Sequence, residues 1–118
     1  MEIIKKFKFD AAHFLPSYHG KCENLHGHTY TLIVKVEGIV DTEGMLMDFA
    51  ELKKIIKDNV IDIFDHHLLN DILPVPTAEN ISVYVWKKIY DLLNTERYHL
   101  SEVQIWETEN NGCVYRGE

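Results

Sequence analysis

What this chain lacks narrows its possibilities first. No apolar run approaches the roughly 20 residues needed to span a bilayer. The opening MEIIKKFKFD has no apolar segment after its charges, so it does not read as a signal peptide, and the expected location is cytoplasmic. Basic residues are scarce: 12 Lys and Arg stand against 19 Asp and Glu, a net charge of −7. That balance argues against nonspecific binding to nucleic acid or to an anionic membrane. It leaves an anionic substrate open, because a local basic patch or a metal can dominate a site. Cysteine is nearly absent. Cys22 and Cys113 are isolated from each other and lack the CxxC spacing of a zinc ribbon, and a cytoplasmic chain seldom keeps a structural disulfide. There is no repeat, low-complexity tract or linker, and 118 residues suit one domain, 1–118. Histidine is the residue in excess: four of the seven fall in two close pairs, His26 with His28 and His66 with His67.

Hydrophobic periodicity organises the rest. Residues 2–13 read as a strand, with Ile3, Phe7, Phe9, Ala11 and His13 on one parity and Lys6, Lys8 and Asp10 on the other. The segment LPSYHGKCEN reads as a loop. HGHTYTLIVKVEG is a second strand, with Leu32, Val34 and Val36 on its even face. DFAELKKIIKDNVIDIF predicts a helix capped by Asp48, with Phe49, Leu52, Ile56 and Ile63 as its apolar stripe. HHLLNDILPVP predicts a long loop. Thr77 starts a second helix striped by Ile81, Val85, Ile89 and Leu92. SEVQIWETE, the turn Asn110-Asn111-Gly112 and CVYRG predict a closing hairpin. The order is β-β-α-α-β-β, an α+β fold with an antiparallel sheet and two helices on one face. Its unprotected edges predict oligomerisation.

Three places carry chemistry. His26 and His28 are two apart on a strand and share a face. Gly27 between them leaves room for another backbone. With His13 ending the neighbouring strand, three imidazoles could bind zinc with a fourth position open, as catalytic sites do; as isolated residues they could equally be hydrogen-bonded surface histidines. Cys22 could be a fourth ligand, or a thiolate whose pKa the metal lowers. Asp65 and His66 suit a proton relay, although a helix C-terminus also favours histidine through its dipole. Glu107 could accept two N–H bonds from a flat heterocycle, or be a solvated strand residue. Trp86 and Trp106 read as core.

The stretches FKFDAAHFL, CENLHGHTY, GMLMDFAELK, DHHLLND, PTAENI and ETENNGCVYRGE, in this order, span nearly the whole chain. Together they resemble the 6-pyruvoyl-tetrahydropterin synthase / 6-carboxytetrahydropterin synthase family. The resemblance implies the tunnelling fold (T-fold), in which three subunits close a barrel and two trimers stack as a hexamer, with sites at subunit interfaces. Carried over by motif, it implies zinc ligands His13, His26 and His28, a catalytic cysteine at Cys22, a relay at Asp65 and His66, and a pterin anchor at Glu107. His67 receives no role.

Three residues separate Cys22 from His26, as in the 6-carboxytetrahydropterin synthases of queuosine biosynthesis. The implied enzyme is a zinc-dependent lyase converting 7,8-dihydroneopterin triphosphate to 6-carboxy-5,6,7,8-tetrahydropterin, acetaldehyde and triphosphate. Glu23 beside Cys22 matches a paralogous branch that forms 6-hydroxymethyl-dihydropterin for folate synthesis. The pyruvoyl synthase, that lyase and a non-catalytic zinc-stabilised pterin-binding protein are the alternatives. Lys21 and Arg116 are triphosphate-binding candidates by charge alone.

Overall fold

Strict alternation builds the centre of the molecule. The computed structural model describes residues 1–16, 20 and 23–118. Strands β1 (Glu2–His13) and β2 (His26–Gly38) pair antiparallel along their whole length, from Glu2 opposite Glu37 to His13 opposite His26. On the far side of β2 lies β4 (Tyr98–Trp106), and β5 (Gly112–Tyr115) pairs with β4. A fifth strand, β3 (His67–Leu68), stands where a loop was expected. It runs parallel to β1 at Ala11 and Ala12, so the sheet is mixed at one edge, in the order β3-β1-β2-β4-β5. Two residues are too few to show a period, which is why the sequence pattern could not reveal it.

Helix α1 (Phe49–Ile56) starts where expected, with the Asp48 carboxylate accepting the Ala50 N–H at 2.8 Å. It continues through a π-helical turn, Lys57–Ile61, into a last turn, α2 (Asp62–Phe64). The wider turn rotates the later residues relative to an ideal helix. The buried positions are consequently Leu52, Ile56, Val60 and Phe64, while Ile63 is half-buried and Phe49, at the helix start, is exposed. Helix α3 (Ala78–Ile89) is capped by Thr77, whose hydroxyl accepts the Asn80 N–H at 3.1 Å. Ile81, Val85 and Ile89 are buried as expected; Leu92 falls beyond the helix end and is exposed, and Leu93 takes the buried place.

The core joins the inner sheet residues Phe9, Tyr30, Leu32, Val34, Val36, Val103 and Ile105 to the apolar stripes of the helices. Lys6, Lys8, Thr29, Thr31, Ile33, Gln104 and Trp106 have the opposite parity and remain exposed or half-buried. Trp106 is therefore not a core residue. Its ring lies over Gly112, where any Cβ would collide with it, and its indole N–H donates to Gln104 at 2.9 Å. Glu102, opposite Lys35, shares the parity of Gln104 and Trp106 and faces the same side; the register shift between Lys35 and Val36 then returns Leu100 to the core. Glu102 is only 5% exposed yet charged, and Lys35 (2.7 Å) and Arg116 (2.9 Å) neutralise it. No helix among the described residues is long and apolar enough to cross a membrane.

Candidate metal centre and active site

The strand register delivers three imidazoles to one point. His13 pairs with His26 across β1 and β2, and Ala11 pairs with His28, so all three rings extend from the core-side parity at the end of the sheet. The Nε2 atoms of His13 and His26 are 3.0 Å apart, and those of His28 and His13 are 3.2 Å apart. Behind them, His13 Nδ1 meets the Pro76 carbonyl at 2.8 Å and His26 Nδ1 meets the Asn24 carbonyl at 2.8 Å. A carbonyl can only accept, so both Nδ1 atoms carry the proton and both Nε2 atoms present bare lone pairs. Two lone pairs facing at 3.0 Å repel unless a cation lies between them. Tetrahedral ligation at about 2.0–2.1 Å puts ligand nitrogens about 3.3 Å apart, close to the spacing found. The triad could bind a metal, and its donor chemistry fits one. Burial pushes the His28 pKa down, with His13 and His26 adding to the effect and Glu107 opposing it, which favours the neutral, ligating imidazole.

Gly27 needs no special explanation. A Cβ there would lie 3.4 Å from the Ala11 carbonyl oxygen, an ordinary contact, so the expectation that the glycine admits a backbone does not hold.

Glu107 follows β4 directly, and one of its carboxylate oxygens lies 3.8 Å from His28 Nε2. It borders a groove of about 210 Å³ shared with Ala78 and Glu79 at the start of α3 and with Gly112 and Cys113. Burial raises the Cys113 pKa, which keeps that thiol protonated and a poor nucleophile. Cys22 and Lys21 lie outside the described residues. Glu23 is exposed in a turn, its N–H donating to the Gly20 carbonyl at 3.1 Å.

Asp65 and His66 form the second cluster, and backbone geometry builds it. The Asp10 N–H donates to Asp65 Oδ1 at 2.9 Å, and the His66 N–H donates to the Asp10 carbonyl at 2.6 Å. His66 takes a left-handed backbone, φ 61, beyond the helix end. Its Nδ1 lies 3.0 Å from Asp65 Oδ2. The Asp10 N–H is the main cause holding the Asp65 pKa below the usual range, so Asp65 stays ionised and polarises its imidazole. The Asp10 carboxylate accepts from the Thr29 hydroxyl, and Asp10 and Thr29 both have the open-face parity. The Asp65–His66 pair therefore sits with the open face of β1, whereas the histidine triad sits with the core face. Glu107 lies beside the triad, and the Asp65–His66 pair lies by the Asp10 edge of β1, where His66 and His28 border one recess.

Arg116, a triphosphate candidate by charge, is engaged instead: its Nε and Nη2 reach Glu102 at 3.0 and 2.9 Å. Lys6, Lys8 and Trp106, given no site role by the sequence, share the parity away from the apolar positions and line a recess that His28 and Glu107 also border.

Against known proteins, the family model described as 6-pyruvoyl tetrahydropterin synthase matches residues 2–118. The chain is 44% identical over 106 residues to a 6-pyruvoyl tetrahydrobiopterin synthase of Dictyostelium discoideum, covering 85% of this chain and 76% of that protein. It is 33% identical to a 6-carboxy-5,6,7,8-tetrahydropterin synthase of Haemophilus influenzae, covering 98% of both. A dihydroneopterin monophosphate aldolase of Pyrococcus furiosus is 39% identical over 93% of this chain and 92% of its own. Among solved structures, the Caenorhabditis elegans 6-pyruvoyl tetrahydropterin synthase superposes with a TM-score of 0.88 at 32% identity, covering 100% of this chain and 96% of that one.

Proposed function

The chain belongs to the 6-pyruvoyl tetrahydropterin synthase family, and from that premise we propose that it is a zinc-dependent lyase acting on 7,8-dihydroneopterin triphosphate to give 6-carboxy-5,6,7,8-tetrahydropterin, acetaldehyde and triphosphate. The observation that carries the reading is the convergence of three Nε2 atoms beside Glu107. Family members are pterin synthase lyases, and the T-fold α+β architecture is theirs.

In this reading His13, His26 and His28 hold the metal. When bound, it supplies Lewis acidity that lowers the pKa of the substrate's side-chain hydroxyls. Glu107 accepts the ring N–H and amino N–H of the pterin edge, fixing the side chain toward the triad. Cys22 as thiolate removes a proton from a side-chain carbon. His66, held and polarised by Asp65, donates and accepts protons at Nε2.

In this reading the triad, on the core-side parity, and the Asp65–His66 pair, by the Asp10 edge of β1, belong to one site that a second copy of the chain completes. The sheet offers the means: Asp65, His66 and β3 cover β1 only from Asp10 to Ala12, so among the described residues no strand pairs with the outer edge of β1 before Asp10 or with the outer edge of β5. The assembly is read as a homohexamer of two trimers. Light scattering should give about six times the chain mass of 13.8 kDa; a monomer mass would sink both the hexamer and the shared site.

Glu107→Gln is expected to weaken pterin binding while sparing the metal. The amide presents a donor where the carboxylate accepts, and a charge-assisted hydrogen bond contributes about 1.5–3 kcal/mol. Affinity should then drop by about one to two decades in a calorimetric titration. Unchanged affinity would reduce Glu107 to a strand-end residue.

The rival reading, a lyase forming 6-hydroxymethyl-dihydropterin, is favoured by Glu23 and by the likeness to the Pyrococcus furiosus aldolase. Mass-spectrometric identification of the product from dihydroneopterin triphosphate decides between them.

A further inference from the structure

Three side chains on the open face of β4 touch in series. Glu102, Gln104 and Trp106 alternate along the strand, so they share one face at intervals of about 7 Å. Gln104 Nε2 donates to Glu102 Oε2 at 2.7 Å, and Trp106 Nε1 donates to Gln104 Oε1 at 2.9 Å. Chemistry fixes the direction of both bonds. An ionised carboxylate only accepts and an indole N–H only donates, so the amide between them has a single orientation.

The Glu102 end of this series is anchored. Its Oε1 accepts from Arg116, and its Oε2 lies 2.7 Å from Lys35 Nζ. Burial pushes the Glu102 pKa up, but the bonds from Lys35 and Gln104 and the charges of Lys35 and Arg116 outweigh it and hold the carboxyl below its usual range. The Trp106 end reaches the closing hairpin. Trp106 pairs with Gly112, and its ring lies so close over that residue that no side chain fits between them. The next residue is Glu107, whose N–H donates to the Asn111 carbonyl at 2.9 Å in the same hairpin. Adjacent strand residues point to opposite faces, so the peptide between Trp106 and Glu107 ties the indole on the open face to the carboxylate beside His28. A tilt of the ring turns Glu107 in the same motion.

We propose that Glu102, Gln104 and Trp106 are positioning residues for Glu107, a hydrogen-bonded series that holds its carboxylate at the angle a flat heterocycle needs. This rests on the reading of Glu107 as the pterin anchor and deepens it. Glu102 is the fixed point of the series, although it lies about 17 Å along the strand from the residue it serves.

The test uses the full-length, metal-loaded protein and calorimetric titration with phosphate-free dihydroneopterin. Gln104→Met and Trp106→Phe both break the indole bond, the first without changing side-chain length and the second while leaving a ring over Gly112. Each should weaken dihydroneopterin binding by about three- to tenfold with metal content unchanged. The double variant should lose no more than the larger single loss, because both substitutions cut one bond. Amide exchange at Glu107 should quicken by at least about threefold in both single variants. Val85→Ala, which opens a cavity in the core at α3, measures the effect of lowered stability alone and should keep wild-type affinity. Unchanged affinity in either single variant, additive losses in the double variant, or an equal loss in Val85→Ala overturns the proposal. If wild type does not bind dihydroneopterin while Glu107 exchange quickens as expected, the pterin reading fails and the positioning role stands.

Discussion

His28→Ala is expected to leave the purified protein without its metal. The expectation follows from the protons as much as from the ligand count. His13 and His26 each donate Nδ1–H to a backbone carbonyl, at Pro76 and Asn24, so neither ring can turn its proton toward the other. Their Nε2 lone pairs face at 3.0 Å, and with His28 gone only two neutral donors remain to hold a divalent cation. Structural and catalytic zinc sites use at least three protein ligands. Metal content by mass spectrometry, together with circular dichroism to confirm the fold, makes the measurement. Metal at the wild-type level would disprove the ligand assignment. Acid should act in the same direction as the substitution, because imidazoles bind metal only when neutral. Burial depresses the His28 pKa, which keeps this ring neutral, and so able to ligate, to lower pH than an ordinary imidazole.

Cys22→Ala should abolish formation of 6-carboxytetrahydropterin, whereas Glu23→Ala should leave it largely intact. Removing a positioned general base costs roughly 10²–10⁴-fold in rate. A thiol near a metal centre can ionise close to neutral pH and is well matched to a carbon acid. Glu23 is exposed to solvent, and a hydrated carboxylate is a weak base toward such a proton. Strand alternation does not separate the two residues, since β2 begins only at His26 and Glu23 lies in the turn before it. The contrast therefore rests on chemistry. Product profiles of wild type and both variants by mass spectrometry decide it. If Cys22→Ala keeps full activity, or if wild type makes mainly 6-hydroxymethyl-dihydropterin and loses it with Glu23→Ala, the folate-type reading replaces this one.

The parts of this fold that were legible in the sequence are those with a long period. Twelve residues of alternation gave β1 its bounds, and Asp48 and Thr77 marked both helix starts because each side chain caps an N–H two or three residues on. The π-helical turn at Lys57–Ile61 was invisible, since a one-residue widening imitates ordinary helical drift, and it moved the buried stripe onto Val60 and Phe64. The site divides along the same line. Two histidines at i and i+2 declare a common face by themselves, and His13 joins them through register. That Asp65 and His66 reach the other face depends on the left-handed backbone at His66 and its bond to Asp10, and neither leaves a mark on residue spacing. Trp106 was misjudged on residue type, although the apolar parity of Val103 and Ile105 places it outside the core.

Strand β1 carries two groups of opposite orientation, the Asp10 backbone that holds Asp65 and His66 and the His13 ring of the triad, only about 10 Å apart along an extended chain. Between them lie Ala11 and Ala12, the only β1 residues to which β3 is paired. This makes the tetrapeptide from Asp10 to His13 a gauge of fixed length and fixed handedness. Adding or removing one residue there would swing His13 to the wrong side of the sheet and unhook β3 in the same stroke. Length changes in the connection between β4 and β5 past Glu107 touch neither group. Natural or engineered variation in chain length should accordingly collect in the connections and be absent from these four positions, even though two of them are alanines with no chemistry of their own.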